Sequence, residues 1–335
     1  DLKTLTEINA PSGHEQAIRR FLLDELKKLG FAPVLDRMGN VVVVKEGTGD
    51  APRKRVMVSA HMDEVGLIVT SATEDGYLRI AAAGGIDPRV LVSKRVTVGE
   101  DKLPGVIGAV PIHLQSAAER KHVLSMDELL VDIGAKNKDE AERKAPMGTY
   151  ISFDTPYVEY GDGFACGKAF DDRVGCLSLL RLLQEELPVD LVACFVSEEE
   201  VGCRGAKGAA FQQEPDIGIV LEGTTCNDLG DVPETAHVCE AGQGVTVSFM
   251  DGASIANRAL FRKALDVAKQ ENIPHQVKHS VSGGNDGGAI QRAREGVPVV
   301  VLSVPCRYIH SPSSVVKLSD VESQFALVKA LVKAL

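Results

Sequence analysis

No two of the chain's seven cysteines are spaced as C-x-x-C. Cys166, Cys176, Cys194, Cys203, Cys226, Cys239 and Cys306 are odd in number and scattered, which argues against a disulfide framework and against a thiolate zinc site. A reducing cytoplasm is the compartment this pattern predicts. Long apolar runs are missing too: none reaches the ~18 residues a membrane span needs, and the N-terminus lacks the basic-then-apolar layout of a secretory signal. Basic residues are in the minority, 37 against 47 acidic, for a formal net charge of -10. That balance opposes binding to nucleic acid or an anionic membrane, because phosphate attraction needs clustered Lys and Arg. No internal repeat and no low-complexity tract interrupts the chain.

The 335 residues are 44% hydrophobic, enough apolar material for one large domain and a smaller one. The stretch Pro11 to Gly30 predicts a helix, with Ser12 and Glu15 spaced as a capping box and Ile18, Phe21, Leu22, Leu26 and Leu29 on one stripe. Strands follow at "VVVV" and at Val56 to Ala60. From about Gly66 to Tyr160 the texture changes to short β-like runs broken by Gly, Pro and Asp, as in a small barrel or sandwich. From Asp171 onward strands and helices alternate again, ending in a helix over Leu318 to Leu335. The expected fold is therefore α/β. A mostly parallel sheet carries helices on both faces in residues 1–65 and 161–335, and a β-rich domain is inserted at 66–160.

Ligands of open α/β sheets gather beyond the carboxyl ends of the strands, and the polar clusters of this sequence fall at such places. His61 follows one strand, the run Glu198, Glu199 and Glu200 a second, Glu222 a third, and His310 lies in the loop after a fourth. Asp171 and Asp172 open a helix. Each has an ordinary structural reading: a helix cap for the aspartates, a hydrogen-bonded histidine, a solvated loop of acids, a turn residue. Together, two imidazoles and several carboxylates without a thiolate suit zinc, manganese or cobalt, and the excess of carboxylate suits two ions close together. Two divalent cations would offset the repulsion among Asp171, Glu199, Glu200 and Glu222.

Six segments carry a resemblance: "SAHMDEVG" (59–66), "GKAFDDRVG" (167–175), "EEVGCRGA" (199–206), "LEGTT" (221–225), "GGNDGGAI" (283–290) and "PCRYIHSP" (305–312). In order and spacing they resemble the deblocking, glutamyl and tetrahedral aminopeptidases, a family of peptidases with two catalytic zinc ions. The resemblance implies that His61 and Glu222 hold one ion, that Glu200 and His310 hold the other, and that Asp171 bridges them. It implies Glu199 as the general base and Asp63 as the acid that orients His61. It further implies removal of N-terminal residues from peptides with a free amine, and Zn2+ as the ion, with Co2+ or Mn2+ as substitutes. The insert would serve subunit contact and gating, with dimers building a hollow twelve-subunit homo-oligomer. Arg307 and Tyr308, beside His310, are candidates for reading the substrate side chain. A dizinc carboxypeptidase or deacylase, a glycosidase using two carboxylates, and a non-catalytic scaffold are the rival readings.

Overall fold

The computed structural model describes residues 1–335. Its large sheet is built on four neighbouring parallel strands in the order Asp190–Val196, Arg55–His61, Ile217–Cys226 and Val299–Arg307. The strands that flank them pair with them antiparallel. Val41–Lys45 lies beside Asp190–Val196, while Ser314–Lys317 and Val245–Ser248 both pair with Val299–Arg307. The sheet is thus parallel where the candidate residues lie and mixed toward its edges.

Alternation of side chains across each strand divides the core in two. Val41, Val43, Val56, Val58, Ala60, Leu191, Ala193, Phe195, Ile219 and Leu221 join one cluster, covered by Gln16–Lys28, Phe170–Leu182, Arg258–Gln270 and Leu318–Lys333. Val42, Met57, Val192, Cys194, Val196 and Val220 join another, covered by Arg204–Gln213 and Asp286–Gln291. Strands buried on both faces read as continuous apolar runs, which is why they stand out in the sequence. A first helix, Leu2–Glu7, precedes the one expected over 11–30, which begins at Gln16, and the capping box does not form. Glu15 accepts the Gly13 N–H at 2.7 Å, and the Ser12 hydroxyl instead donates to Asp63 at 2.6 Å. The strands Ser314–Lys317, Phe164–Gly167 and Val158–Tyr160, which carry the sheet out to one edge, have no separate counterpart in the sequence reading. They are short, and only their pairing with a neighbour distinguishes them from loops.

The inserted segment forms a closed six-stranded barrel: Gly66–Ala72, Leu78–Ala83, Leu130–Asp132, Leu103–Gly108, Arg95–Val98 and Tyr150–Phe153 in spatial order. It has its own core of 17 buried residues, Leu67, Leu78, Ile107, Val131 and Ile151 among them. Closure removes the exposed edges that so many short strands would otherwise present. The last barrel strand ends at Phe153, and Val158–Tyr160 already pairs within the large sheet. Where the chain leaves for the barrel and where it returns, the buried pair Glu64 and Lys168 ties the two crossings together at 2.7 Å. No helix is long and apolar enough to cross a membrane.

Candidate metal centre and active site

The four parallel strands point their carboxyl ends at one rim, and the rim gathers the acids and histidines. His61 is the last residue of its strand, and Glu222 lies within Ile217–Cys226, which continues past Leu221. Glu199 and Glu200 sit in the turn after Asp190–Val196, and His310 sits three residues beyond Val299–Arg307 with a left-handed backbone, φ 55. Asp171 and Asp172 lie at the start of Phe170–Leu182 but depart from helical geometry, with ψ of 109 and 50.

The two readings of that aspartate pair separate by one residue. Asp172 is fully buried and accepts the Gly175 N–H at 2.9 Å, the arrangement of a helix cap. Asp171 faces the rim. Its Oδ1 lies 3.3 Å from His61 Nε2 and its Oδ2 lies 3.4 Å from His310 Nε2. Glu222 Oε2 approaches His61 Nε2 at 3.6 Å, and Glu200 Oε2 approaches His310 Nε2 at 3.2 Å. Two triads result, His61–Asp171–Glu222 and Asp171–Glu200–His310, each with its donor atoms within 4.8 Å of one another.

Burial and crowding distort the ionisation of this group. Burial pushes Glu200 up to about 8 although His310 opposes it, and burial lifts Glu222 well above the carboxylate range. Against the effect of burial, the charges of Glu200 and Asp171 raise His310 to about 9. Burial likewise disfavours a charged His61, yet Asp171, Asp63 and Glu222 raise it. Glu222 Oε1 is buried with no hydrogen-bond partner. Acids this crowded, one with an unpartnered oxygen, and imidazole nitrogens aimed at them match divalent cations of the zinc, cobalt or manganese type. The donor set fits such ions.

Asp63 stands behind the triads. It is fully buried, its backbone carbonyl lies 3.2 Å and its Oδ1 3.4 Å from His61 Nδ1, and its carboxylate accepts the N–H groups of Glu199 at 3.1 Å and Glu200 at 3.2 Å. The three acids are therefore not alternating faces of a strand. Glu198 has φ 55 and pairs at the surface with Arg204 at 3.3 Å, whereas Glu199 turns inward and is raised by burial.

A scan of the chain against family models matches residues 39–327 to the M42 glutamyl aminopeptidases. This chain belongs to the M42 aminopeptidase family. A lysyl aminopeptidase of Pyrococcus furiosus is 33% identical, over 100% of this chain and 96% of that protein. Among solved structures, a TET aminopeptidase from the marine sediment archaeon Thaumarchaeota archaeon SCGC AB-539-E09 superimposes with a TM-score of 0.95 at 33% identity, covering 100% of this chain and 95% of its own. The TET1 peptidase of Pyrococcus horikoshii, which can assemble into a tetrahedron or a large octahedral shell, does so at 0.87 and 33%, covering 100% and 98%. An aminopeptidase hydrolase on a mixed α/β fold with a barrel insert is the outcome of these matches.

Around the rim of this M42 chain the structure also reveals what the sequence concealed. Arg307 is held in a two-pronged ion pair with Asp228, both contacts 2.6 Å, so its guanidinium is committed to the fold and is a poor reader of substrate. Tyr308 is exposed and lines a cavity of about 520 Å³ with His310 and with Asp87, Arg89, Val90 and Lys94 from the barrel. Cys203 and Asp286 gather beside Glu199, with donor atoms within 4.8 Å. Nothing in their spacing, 83 positions apart by subtraction, signals that meeting.

Proposed function

We propose that this chain is a two-metal aminopeptidase in which His61, Glu222 and Asp171 hold one divalent ion, and Asp171, Glu200 and His310 the other. The observation that carries the reading is the Asp171 carboxylate, whose two oxygens face different histidines at 3.3 and 3.4 Å, the posture of a bridging ligand. When bound, a pair of zinc ions, or cobalt or manganese, supplies Lewis acidity toward a scissile carbonyl and lowers the pKa of a nearby water. Asp63 fixes the tautomer and direction of the His61 ring and, through two backbone N–H groups, the turn that presents Glu199 and Glu200. Glu199, half-buried and raised in pKa by desolvation, acts as the general base that takes a proton from the attacking water and returns it to the leaving amine. The free α-amine of the peptide binds at the same acidic rim.

The division expected at 1–65, 66–160 and 161–335, with the barrel closing at Phe153 and Val158–Tyr160 returning to the large sheet, and the barrel as a dimerisation and gating module, belong to the same reading. So do assembly of dimers into a twelve-subunit tetrahedron and residence in the cytoplasm. The tetrahedron of the P. horikoshii relative supports the assembly. Because the barrel contributes Asp87, Arg89 and Lys94 to the cavity beside His310, it is positioned to influence which peptides enter.

Metal analysis combined with a panel of aminoacyl substrates and the Glu199→Gln variant tests the proposal. Two bound ions per chain, cleavage of free-amine but not N-blocked peptides, and a variant that keeps its metal while losing about 10² to 10⁴ in turnover are expected. Near-normal turnover in Glu199→Gln would remove Glu199 from the mechanism, and hydrolysis undiminished by chelation would remove the metals.

A further inference from the structure

A second cluster, outside the two triads, is built from Glu199, Cys203 and Asp286, whose carboxylate and thiol donors all lie within 4.8 Å of one another. Cys203 stands just before the helix Arg204–Gln213, and Asp286 opens Asp286–Gln291; the two helices pack on the same face of the sheet. The Cys203 thiol lies 3.4 Å from Glu199 Oε1. Asp286 is 1% exposed, and neither of its oxygens has a hydrogen-bond partner. A carboxylate buried in that way costs several kcal/mol unless it keeps a proton or meets a cation. No Lys or Arg pairs with it; Glu199 and Cys203 share its cluster, and the charges of His61 and Asp63 also act on it. Tetrahedral zinc with one sulfur and two oxygens places its donors ~3.5 Å apart, close to the sulfur–oxygen distance already present.

We propose that Glu199, Cys203 and Asp286 form a third cation site, taken by a thiophilic divalent metal such as zinc or cadmium in excess, which silences the enzyme by engaging Glu199. The silencing rests on the reading of Glu199 as the general base; the site itself does not. Binding forms a sulfur–metal bond as the Cys203 thiol proton leaves to solvent. Two carboxylates and a thiolate then surround a doubly charged ion, relieving the repulsion between Glu199 and Asp286. Cys203 is only half-buried, so the ion has an approach from outside. The triads lack sulfur, and this difference in donor softness separates a cation preferred here from one preferred there.

Cadmium titrated into the zinc-loaded protein tests this, followed by thiolate-to-cadmium charge-transfer absorbance, by bound-metal analysis after dialysis, and by peptide turnover. The wild type is expected to take up one further equivalent, with the absorbance band and loss of turnover rising together. Cys203→Ser keeps a hydroxyl beside Glu199 and is expected to retain basal turnover, show no such band, and resist cadmium to concentrations higher by at least about tenfold. Asp286→Asn should weaken uptake of the extra equivalent while leaving the band present at saturation. Absence of that equivalent, or a band of full size in Cys203→Ser, overturns the site and leaves the base assignment standing. An extra equivalent that binds with its band yet spares turnover overturns the silencing and the base assignment on which it rests.

Discussion

Asp63 accepts the backbone N–H of Glu199 at 3.1 Å. With its other oxygen it accepts Glu200 N–H at 3.2 Å and the Ser12 hydroxyl at 2.6 Å, while Oδ1 faces His61 Nδ1 at 3.4 Å. One carboxylate therefore positions a histidine from one strand end and an acidic turn from the next. In Asp63→Asn an NH2 group would confront an N–H donor, and the negative partner of the ring would be gone. Metal affinity or activity should fall about 10- to 100-fold with the fold intact by circular dichroism. Wild-type affinity in a metal titration of that variant would refute the positioning role.

Gly223 is a second test of how tightly the centre is held. Its N–H donates to Asp171 Oδ1 at 3.0 Å, and a Cβ added there would meet Asp171 Cβ and Oδ1, each at 3.0 Å. Gly223→Ala must push the Asp171 side chain aside. The contacts call for a shift of a few tenths of an ångström, and because a misplacement of about 1 Å can cost about 10² in rate, kcat should drop by less than that, severalfold, with little change in thermal stability. A variant with unaltered kcat would mean that Asp171 has room to move.

Behind the rim, Glu64 and Lys168 are each 3% exposed and meet at 2.7 Å, while Glu64 also accepts the Ala10 N–H at 2.8 Å. Removing Lys168 takes away the close partner of Glu64 and leaves its buried carboxylate facing only Arg173, 3.9 Å away. Lys168→Met should lower unfolding stability by about 3–5 kcal/mol. The double change Glu64→Gln, Lys168→Met should recover part of that loss. Denaturant unfolding of the three variants checks both statements, and equal destabilisation in the single and double variants would count against a coupled pair.

Acid sensitivity should report the pair Asp228 and Arg307. Burial opposes a charged Asp228, yet the Arg307 guanidinium, Cys226 and the Ala241 N–H hold its carboxyl below the usual range. A carboxyl depressed on folding binds fewer protons in the native than in the unfolded state. Its contribution is fully present above the unfolded value of about 3.9 and disappears as pH falls through the lower folded value. Asp228→Asn should therefore destabilise the protein at neutral pH and flatten the acid limb of a stability-against-pH curve. An acid limb of unchanged steepness would exclude Asp228 as its source.

Much of this was legible before any tertiary contact was known. The valine-rich strands announce themselves because burial on both faces demands continuous apolar runs, and His61 and His310 fall at or just beyond strand ends, whereas Glu222 lies inside a strand that continues to Cys226. The resemblance divided the acidic run, but local periodicity could not have done so, since Glu198 leaves the site through a left-handed backbone and an ion pair with Arg204. Alternation along an extended strand has no force in a turn. The Ser12 capping box failed for a related reason: Asp63, 51 positions away by subtraction, offered its hydroxyl a buried carboxylate.

Residue types and their order along the chain determined the architecture and the inventory of donors, because periodicity and composition are local properties. Which oxygen of Asp171 faces which histidine, why Arg307 is spent on Asp228, and how Cys203 comes to lie beside Asp286 were decided only by the packing of helices and strands. Such meetings depend on long-range register and on the competition of buried groups for partners, and no window of sequence contains both sides of that competition.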